Sequence, residues 1–455
     1  MAFKDILHNL PEVKGPIEKK LGFKIKLKWT ITILSLFFVL ANIPLYGVKR
    51  EALMRYEYIA ILLGTDFGSI ISLGIGPIVM ASIVLQLFVG SKILNIDLTN
   101  PEGKRYFQGL QKLLVFFFII FESVIYVLMG GTPSMPGFEM IVIFQLMVGG
   151  IFILFMDEIC HKWGFGSGVS LFIAAGVGWR LITGLFGFLN TARELSPIGA
   201  VPKMVYDFFM INDITGGMQA LAMILSTAII FLIIVWVQSL KIEIPLSYDR
   251  LRGYNVKWPL AFFYASNIPV ILTGAFVANI QLFGSMLQNW LGHSTFLGDF
   301  SGGDMATSGL AFWLGSTDIV GKLITNSFEF RYLFQAFSHI LVFIIFSAIF
   351  SVFWVKTSGM DAQSQARNII RSGLQIPGFR KDERILESIL ARYIMPLTVM
   401  GGIAVGLLAA VSDVTGTITG GTALLLGVMI TFQFYQNIAH QHAMDMHPAL
   451  KKMMG

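Results

Sequence analysis

Long apolar stretches alternate with shorter polar ones along almost the whole chain, and their lengths decide what they build. A helix rises about 1.5 Å per residue, so about 20 apolar residues cross a bilayer core. By that measure ten spans are predicted, near 29–48, 68–90, 112–129, 140–156, 168–188, 217–237, 258–283, 332–355, 393–411 and 418–435. Two other apolar segments, 58–64 and 310–314, are too short to cross, so the first must fold back or plug something. Phe3, Ile6, Leu7 and Leu10 recur at helical spacing among Lys4, Asp5 and His8, which predicts a short helix on the membrane surface.

Two spans carry residues that a plain anchor does not need. Gly74, Gly76 and Pro77 sit one turn into 68–90, where glycine removes bulk and proline removes a backbone donor, so a tightly packed or kinked helix is predicted. Their neighbours Ile75, Ile78 and Val79 are β-branched and stiff, which suits a fixed wall or constriction. Pro269, beside Ser266 and Asn267, repeats the feature in the middle of 258–283. Ten spans divide into five plus five with a Gly/Pro-interrupted helix second in each half, a pointer to an inverted repeat with a pathway at its interface. The division expected is a segment 1–28, a first five-helix half 29–190, a loop 191–216, a second half 217–439 and a tail 440–455.

With 455 residues, 55% hydrophobic and 13% charged, and a mean hydropathy of +0.72, the chain reads as an all-α polytopic membrane protein. Its net charge of +6 follows position. With a cytosolic N-terminus and tail, about 25 of the 33 Lys and Arg fall on inside segments, as the positive-inside rule requires. The basic loops 241–257 and 356–392 are then inside, and the polar loops 191–216 and 285–331 outside. No small-residue cleavage site follows the first lysines, so a retained first span is expected and no removed signal peptide. Cys160 is the single cysteine, which excludes an intramolecular disulfide and a thiolate metal site.

Catalysis finds little support. The segment Gly166-Ser167-Gly168 is like the serine environment of an intramembrane protease, with His339 as a notional base, but Phe165 stands where such sites carry glycine. A glycine-rich helix start explains it better. His440, His442 and His447 lack the paired spacing of metal ligands and fit a solvated tail. Glu122 lies inside an apolar run, so it must face a cavity or another helix. Arg250, Arg252, Arg380 and Lys381 stand beside turn-forming glycines in the basic loops, where cations meet phosphate or carboxylate. Such loops suit a docking partner, and an RNA-rich one fits best.

Nine segments taken in order carry a resemblance. They are LGIGPIV (73–79), LQLFVGSKI (85–93), FQGLQKLL (107–114), MDEI (156–159), GFGSGVSLFIAAGV (164–177), SNIPVIL (266–272), ANIQL (278–282), GFRKDERI (378–385) and PLTVMGG (396–402). On these the chain resembles the SecY family, central subunits of the Sec protein-conducting channel, with archaeal members more similar than bacterial ones. The resemblance implies two pseudo-symmetric five-helix halves around an hourglass pore, no catalytic residue, and no cofactor or metal. Its pore ring would be Ile75, Val79, Val169, Ile173, Ile271 and Leu426, with a plug at 56–64 beneath it. Met80, Glu122 and Asn279 would be lateral-gate positions, with Glu122 and Asn279 holding the gate closed by interhelical hydrogen bonds. Relatives often carry Thr where this chain has Met80. Arg250, Arg252, Arg380 and Lys381 match positions that dock the ribosome, through its rRNA, or a motor ATPase. Further partners implied are a SecE/gamma subunit, a beta subunit, the nascent polypeptide with its signal sequence, and membrane lipids; single and paired channels both stay open. The rival from the residues alone is a small-solute secondary transporter with broken helices, which needs a compact polar site at mid-membrane. An intramembrane hydrolase would make Ser167 indispensable.

Overall fold

A computed structural model describes residues 10–17, 21–48, 68–91, 93–96, 100–132, 134–187, 197–248, 255–300, 306–371, 374–375 and 382–446. The segment 56–64 and the residues Arg250, Arg252, Arg380 and Lys381 lie outside them. Ten helices account for the spans: α1 Phe23–Ala41, α2 Gly76–Gly90, α3 Pro101–Leu128, α4 Glu139–Trp163 and α5 Gly168–Phe186, then α6 Ile214–Gln238, α7 Ile268–Leu291, α8 Phe330–Thr357, α9 Glu383–Val414 and α10 Gly421–Met446. Eight of them are long and apolar enough to cross a membrane unaided. The other two, α1 and α2, have local reasons to fall short.

In α1 the helix begins at Phe23, six residues before the apolar run, and takes in Lys24, Lys26 and Lys28. Long lysine stems let the first turns reach the interface. The helix stops at Ala41 instead of 48 because Pro44 follows, pairing as an isolated bridge with Ser69. The kink predicted in 68–90 is not there. Residues 68–75 form successive turns, with Gly68 and Gly74 at positive φ, and α2 starts at Gly76 with Pro77 in its first turn. A proline costs a helix nothing there, since that N–H has no partner within the helix. At 15 residues α2 is about 22 Å long, so the turns complete the crossing. Pro269 likewise stands in the first turn of α7, not in mid-helix, and residues 258–261, the start of the expected seventh span, belong to a strand. In the same way α3 begins eleven residues earlier than its apolar run, with Pro101 at the helix start and Glu102 in the first turn.

The two basic loops are joined. Strands β1 Lys241–Tyr248 and β2 Asn255–Ala261 form a hairpin, and β3 Leu374–Gln375 adds to β1 through Ser247↔Gln375 and Tyr248↔Leu374. Beneath this sheet Ile244, Leu260 and Tyr264 pack with Val355, Ile369 and Leu390, while the Tyr264 hydroxyl donates to the Met360 carbonyl at 2.6 Å. Burial, with Asp361 nearby, pushes that phenol's pKa up. The long loop before α8 also folds: helix Gly309–Leu314 lies over α8, where Gln335 donates to the Phe312 carbonyl at 2.9 Å, and helix Ile319–Ile324 packs on α6.

Contacts divide the bundle into the two halves. In the first, α1 packs on α4 and α5, α2 on α3, and α3 on α4; in the second, α7 packs on α8 and α9, and α10 on α6 and α9. The α8–α9 pair is set by glycine. A Cβ on Gly402 would fall 2.8 Å from Ser351 Cβ, and one on Gly406 2.5 Å from the Phe343 carbonyl oxygen, so the backbones meet directly. Between the halves α2 meets α7 and α8 along one seam, and α10 meets α1 and α5 along the other.

Candidate functional site

The largest buried cluster lies where the halves meet. It contains Ile75, Val79, Ile173, Ile271 and Leu426, with the half-buried Val169 packed against it, so all six expected ring side chains belong to one apolar group. Ile75 is only 1% exposed. The helices that supply them start beside the cluster. Ile75 is the N-cap of α2 and Val79 its fourth residue, while Ile271 is the fourth residue of α7. Val169 and Ile173 are the second and sixth residues of α5, and Leu426 is the sixth residue of α10.

That register repeats between the halves. The second helix of each half has proline as its second residue, Pro77 or Pro269, and gives its fourth residue to the cluster. The fifth helix of each half opens with glycine, Gly168 or Gly421, and gives its sixth. Where the first half also gives Ile75 and Val169, the corresponding positions of the second hold Asn267 and Thr422. The ring is therefore apolar on every side but supplied unequally.

The seam beside it is polar in places. Glu122 on α3 and Asn279 on α7 are 1% and 3% exposed. A Cβ added to Gly76 would lie 3.1 Å from Oε2 of Glu122, so that carboxyl faces the start of α2. The expected hydrogen bonding between these gate positions is not formed. Asn279 donates to the carbonyl of Ala275 in its own helix at 2.8 Å, and neither oxygen of Glu122 has a hydrogen-bond partner among the described residues. One helical turn separates Asn279 from Ala275, and an amide in an apolar setting takes the nearest carbonyl. What closes the seam is packing. Ala278, Leu282 and Met286 of α7 join Ala81, Ile119 and Tyr126 in a second buried cluster, and Gly90 of α2 sits against the ring of Phe353 on α8. Met80 is half-buried at the edge of the main cluster.

The residues of the hydrolase reading are engaged elsewhere. Ser167 accepts from the Ser170 N–H and donates to Asp157, whereas His339 bonds the Leu314 carbonyl at 2.7 Å and lies 3.5 Å from Asp413. Two residues that the sequence did not single out, Asp157 and Asp413, turn out to touch the starts of α5 and α10. Their signal was present: each closes an apolar span shortly before the Gly that opens the next.

A two-halved bundle shut at its centre by aliphatic side chains, with a packed seam along one side, is the architecture of a closed membrane channel. The chain belongs to the SecY family, which matches residues 69–435. It is 44% identical to the protein translocase subunit SecY of Methanothermobacter thermautotrophicus, with 100% of this chain and 98% of the relative covered. Among solved structures it is similar to a protein-conducting channel at a TM-score of 0.84 and 36% identity, 99% of both chains being covered. It is also similar to Sec61 in the canine ribosome-channel complex from the endoplasmic reticulum, at 0.81 and 34%, again with 99% of both covered.

Proposed function

We propose that this chain is the pore-forming subunit of a protein-conducting channel, passing unfolded secretory polypeptides across the membrane and releasing transmembrane segments sideways into lipid. The observation that carries the reading is the single buried aliphatic group drawn from both halves at the starts of four helices. A narrow apolar ring excludes ions by dewetting, while flexible aliphatic side chains close around an extended chain of any sequence. A solute transporter would hold a compact polar pocket there. The reading involves no catalysis, since energy and direction come from a partner. Reconstitution into liposomes with a secretory precursor tests it: the precursor becomes protease-protected in channel-bearing vesicles, and equal protection without the channel would refute the proposal.

The roles of particular residues follow from it. Ile75, Val79, Val169, Ile173, Ile271 and Leu426 form the ring, 56–64 is the plug, and Met80, Glu122 and Asn279 line the lateral gate between the halves 29–190 and 217–439. Asn279→Leu replaces a buried amide whose Oδ1 has no partner among the described residues. A leucine packs better in the closed seam, so the segment hydrophobicity required for insertion is expected to rise by about 1–2 kcal/mol. An unshifted insertion threshold removes Asn279 from the gate.

Both termini lie in the cytosol, and the sheet of β1, β2 and β3 then lies there too. Arg250, Arg252, Arg380 and Lys381 then dock the ribosome, a reading supported by their loops' pairing and by the canine relative's complex. Arg250→Glu with Arg380→Glu is expected to weaken ribosome binding at least about tenfold at low salt, where surface charge acts at longest range. Full binding by the double variant would rule out docking through these loops. A SecE/gamma subunit and a beta subunit complete the channel, and two small proteins are expected to co-purify with it from its native membrane.

A further inference from the structure

The ring takes two of its four walls from helices that begin in the same unusual way. At the end of α4, Asp157 Oδ1 accepts the N–H of Val169 at 2.9 Å and a bond from Ser167 Oγ at 3.4 Å. At the end of α9, Asp413 Oδ1 accepts the N–H of Thr422 at 2.8 Å, and its Oδ2 accepts from the Thr422 hydroxyl. Val169 and Thr422 are each the second residue of their helix. In both places the first residue is a glycine pressed against the aspartate's backbone. A Cβ on Gly168 would lie 2.6 Å from Asp157 Cα, and one on Gly421 2.1 Å from Asp413 N. Each aspartate also has a histidine within reach, His161 at 3.9 Å and His339 at 3.5 Å.

An ordinary N-cap comes from the residue next to the helix. Here a cap also comes from the preceding span, at α5 alongside the local cap in which Ser167 Oγ accepts the Ser170 N–H, and it ties the start of one helix to the end of another through a contact with no room to shift. A carboxylate there also meets the positive end of the helix dipole. The tethered starts carry the ring: Val169 is itself the bonded residue, and Ile173 and Leu426 lie one turn on. Among the other spans, α6 is capped locally by Asp213, which accepts from Thr215 N–H at 3.1 Å, and α6 gives nothing to the ring.

We propose that Asp157 and Asp413 are a matched pair of positioning residues, one in each half, that hold the α5 and α10 walls of the ring in its sealed register. The proposal rests on the ring reading given above. In opening, each half then carries its fifth helix as a rigid extension of its fourth, so the aliphatic walls separate as units and return to the same register.

The test measures resting ion conductance of the reconstituted channel in planar bilayers, alongside thermal stability. Asp157→Ala and Asp413→Ala are each expected to raise conductance about threefold or more, because a loosened helix start lets the ring wet. Asp157→Asn and Asp413→Asn keep an Oδ1 acceptor and bring it most of the way back. Asp213→Ala removes a cap of the same chemistry from a span outside the ring; it is expected to lower thermal stability without leak. Ile75→Gly with Val79→Gly, the ring variant, must leak in the same assay. If the ring variant leaks and the two cap variants do not, or if Asp213→Ala leaks equally, the positioning role is overturned and the ring stands. A ring variant that does not leak removes the ring reading, and this proposal with it. Should either alanine variant fail to accumulate, Asp157→Glu and Asp413→Glu keep the charge but move the acceptor by one methylene, so the bonds to the Val169 and Thr422 N–H groups cannot form in the same register. Wild-type conductance in both would overturn the proposal.

Discussion

Replacing Ile75 and Val79 together with glycine is expected to raise the resting ion conductance of the channel at least about tenfold, since an apolar constriction excludes ions only while it stays dry. Both side chains are buried in the central cluster, and both sit at the start of α2, where the turns of 68–75 give way to helix. Glycine removes every ring atom of that wall. It also costs about 1 kcal/mol of helix propensity at Val79, which the N-cap Ile75 does not incur, and on the order of 2–5 kcal/mol of lost packing for each buried side chain. The remaining contacts of α2 with α3, α7 and α8 are expected to hold the channel together, less stable and leaking. Unchanged conductance in a normally assembled channel would mean that the seal lies elsewhere.

A second large effect is expected at Gly149. A Cβ there would fall 1.8 Å from the carbonyl oxygen of Ile70, a backbone atom that has nowhere to retreat. Gly149→Ala must therefore push α4 off the turns that lead into α2, at an overpacking cost of about 1–3 kcal/mol. Thermal unfolding in detergent is expected to move several degrees lower, and resting conductance to rise because Ile75 shifts with the turns. Gly176 and Gly178 on α5 have nothing within 4 Å of such a Cβ, so alanine at either position is expected to leave conductance unchanged and, by removing a helical glycine, to raise stability by up to about 1 kcal/mol. Equal stability of Gly149→Ala and Gly176→Ala would contradict this account of the packing.

Helices α5, α6 and α8 were legible within a few residues, because continuous apolar runs of 20 or so leave little choice of structure in a bilayer. The second helix of each half was not. Pro77 and Pro269 were expected to interrupt helices, and both instead begin them, since hydropathy cannot distinguish apolar turns from apolar helix. The repeat itself was read from those prolines, but its register was not: once each proline marks a start, Val79 and Ile271 fall on the same helical position. The ring residues came from family resemblance, and their convergence into one cluster is a matter of tertiary packing that no local pattern carries. The hydrogen bonding expected of Glu122 and Asn279 was wrong for a simpler reason. Sequence shows that Asn279 sits in an apolar run, but not that its amide is taken up by the carbonyl of Ala275 in its own helix. Asp157 and Asp413 looked like ordinary span ends, and only the glycines flush against them reveal the tether.

The central claim is that a translocating polypeptide passes through the aliphatic ring. A photo-crosslinking residue placed singly at Ile173, Ile271 or Leu426, and for comparison at the exposed Phe144 and Leu232, reads this directly in channels holding a stalled secretory chain. Strong crosslinks to the chain are expected from the three ring positions and none above background from the two exposed ones. Crosslinks from Phe144 or Leu232 with silence at Ile173, Ile271 and Leu426 would contradict it.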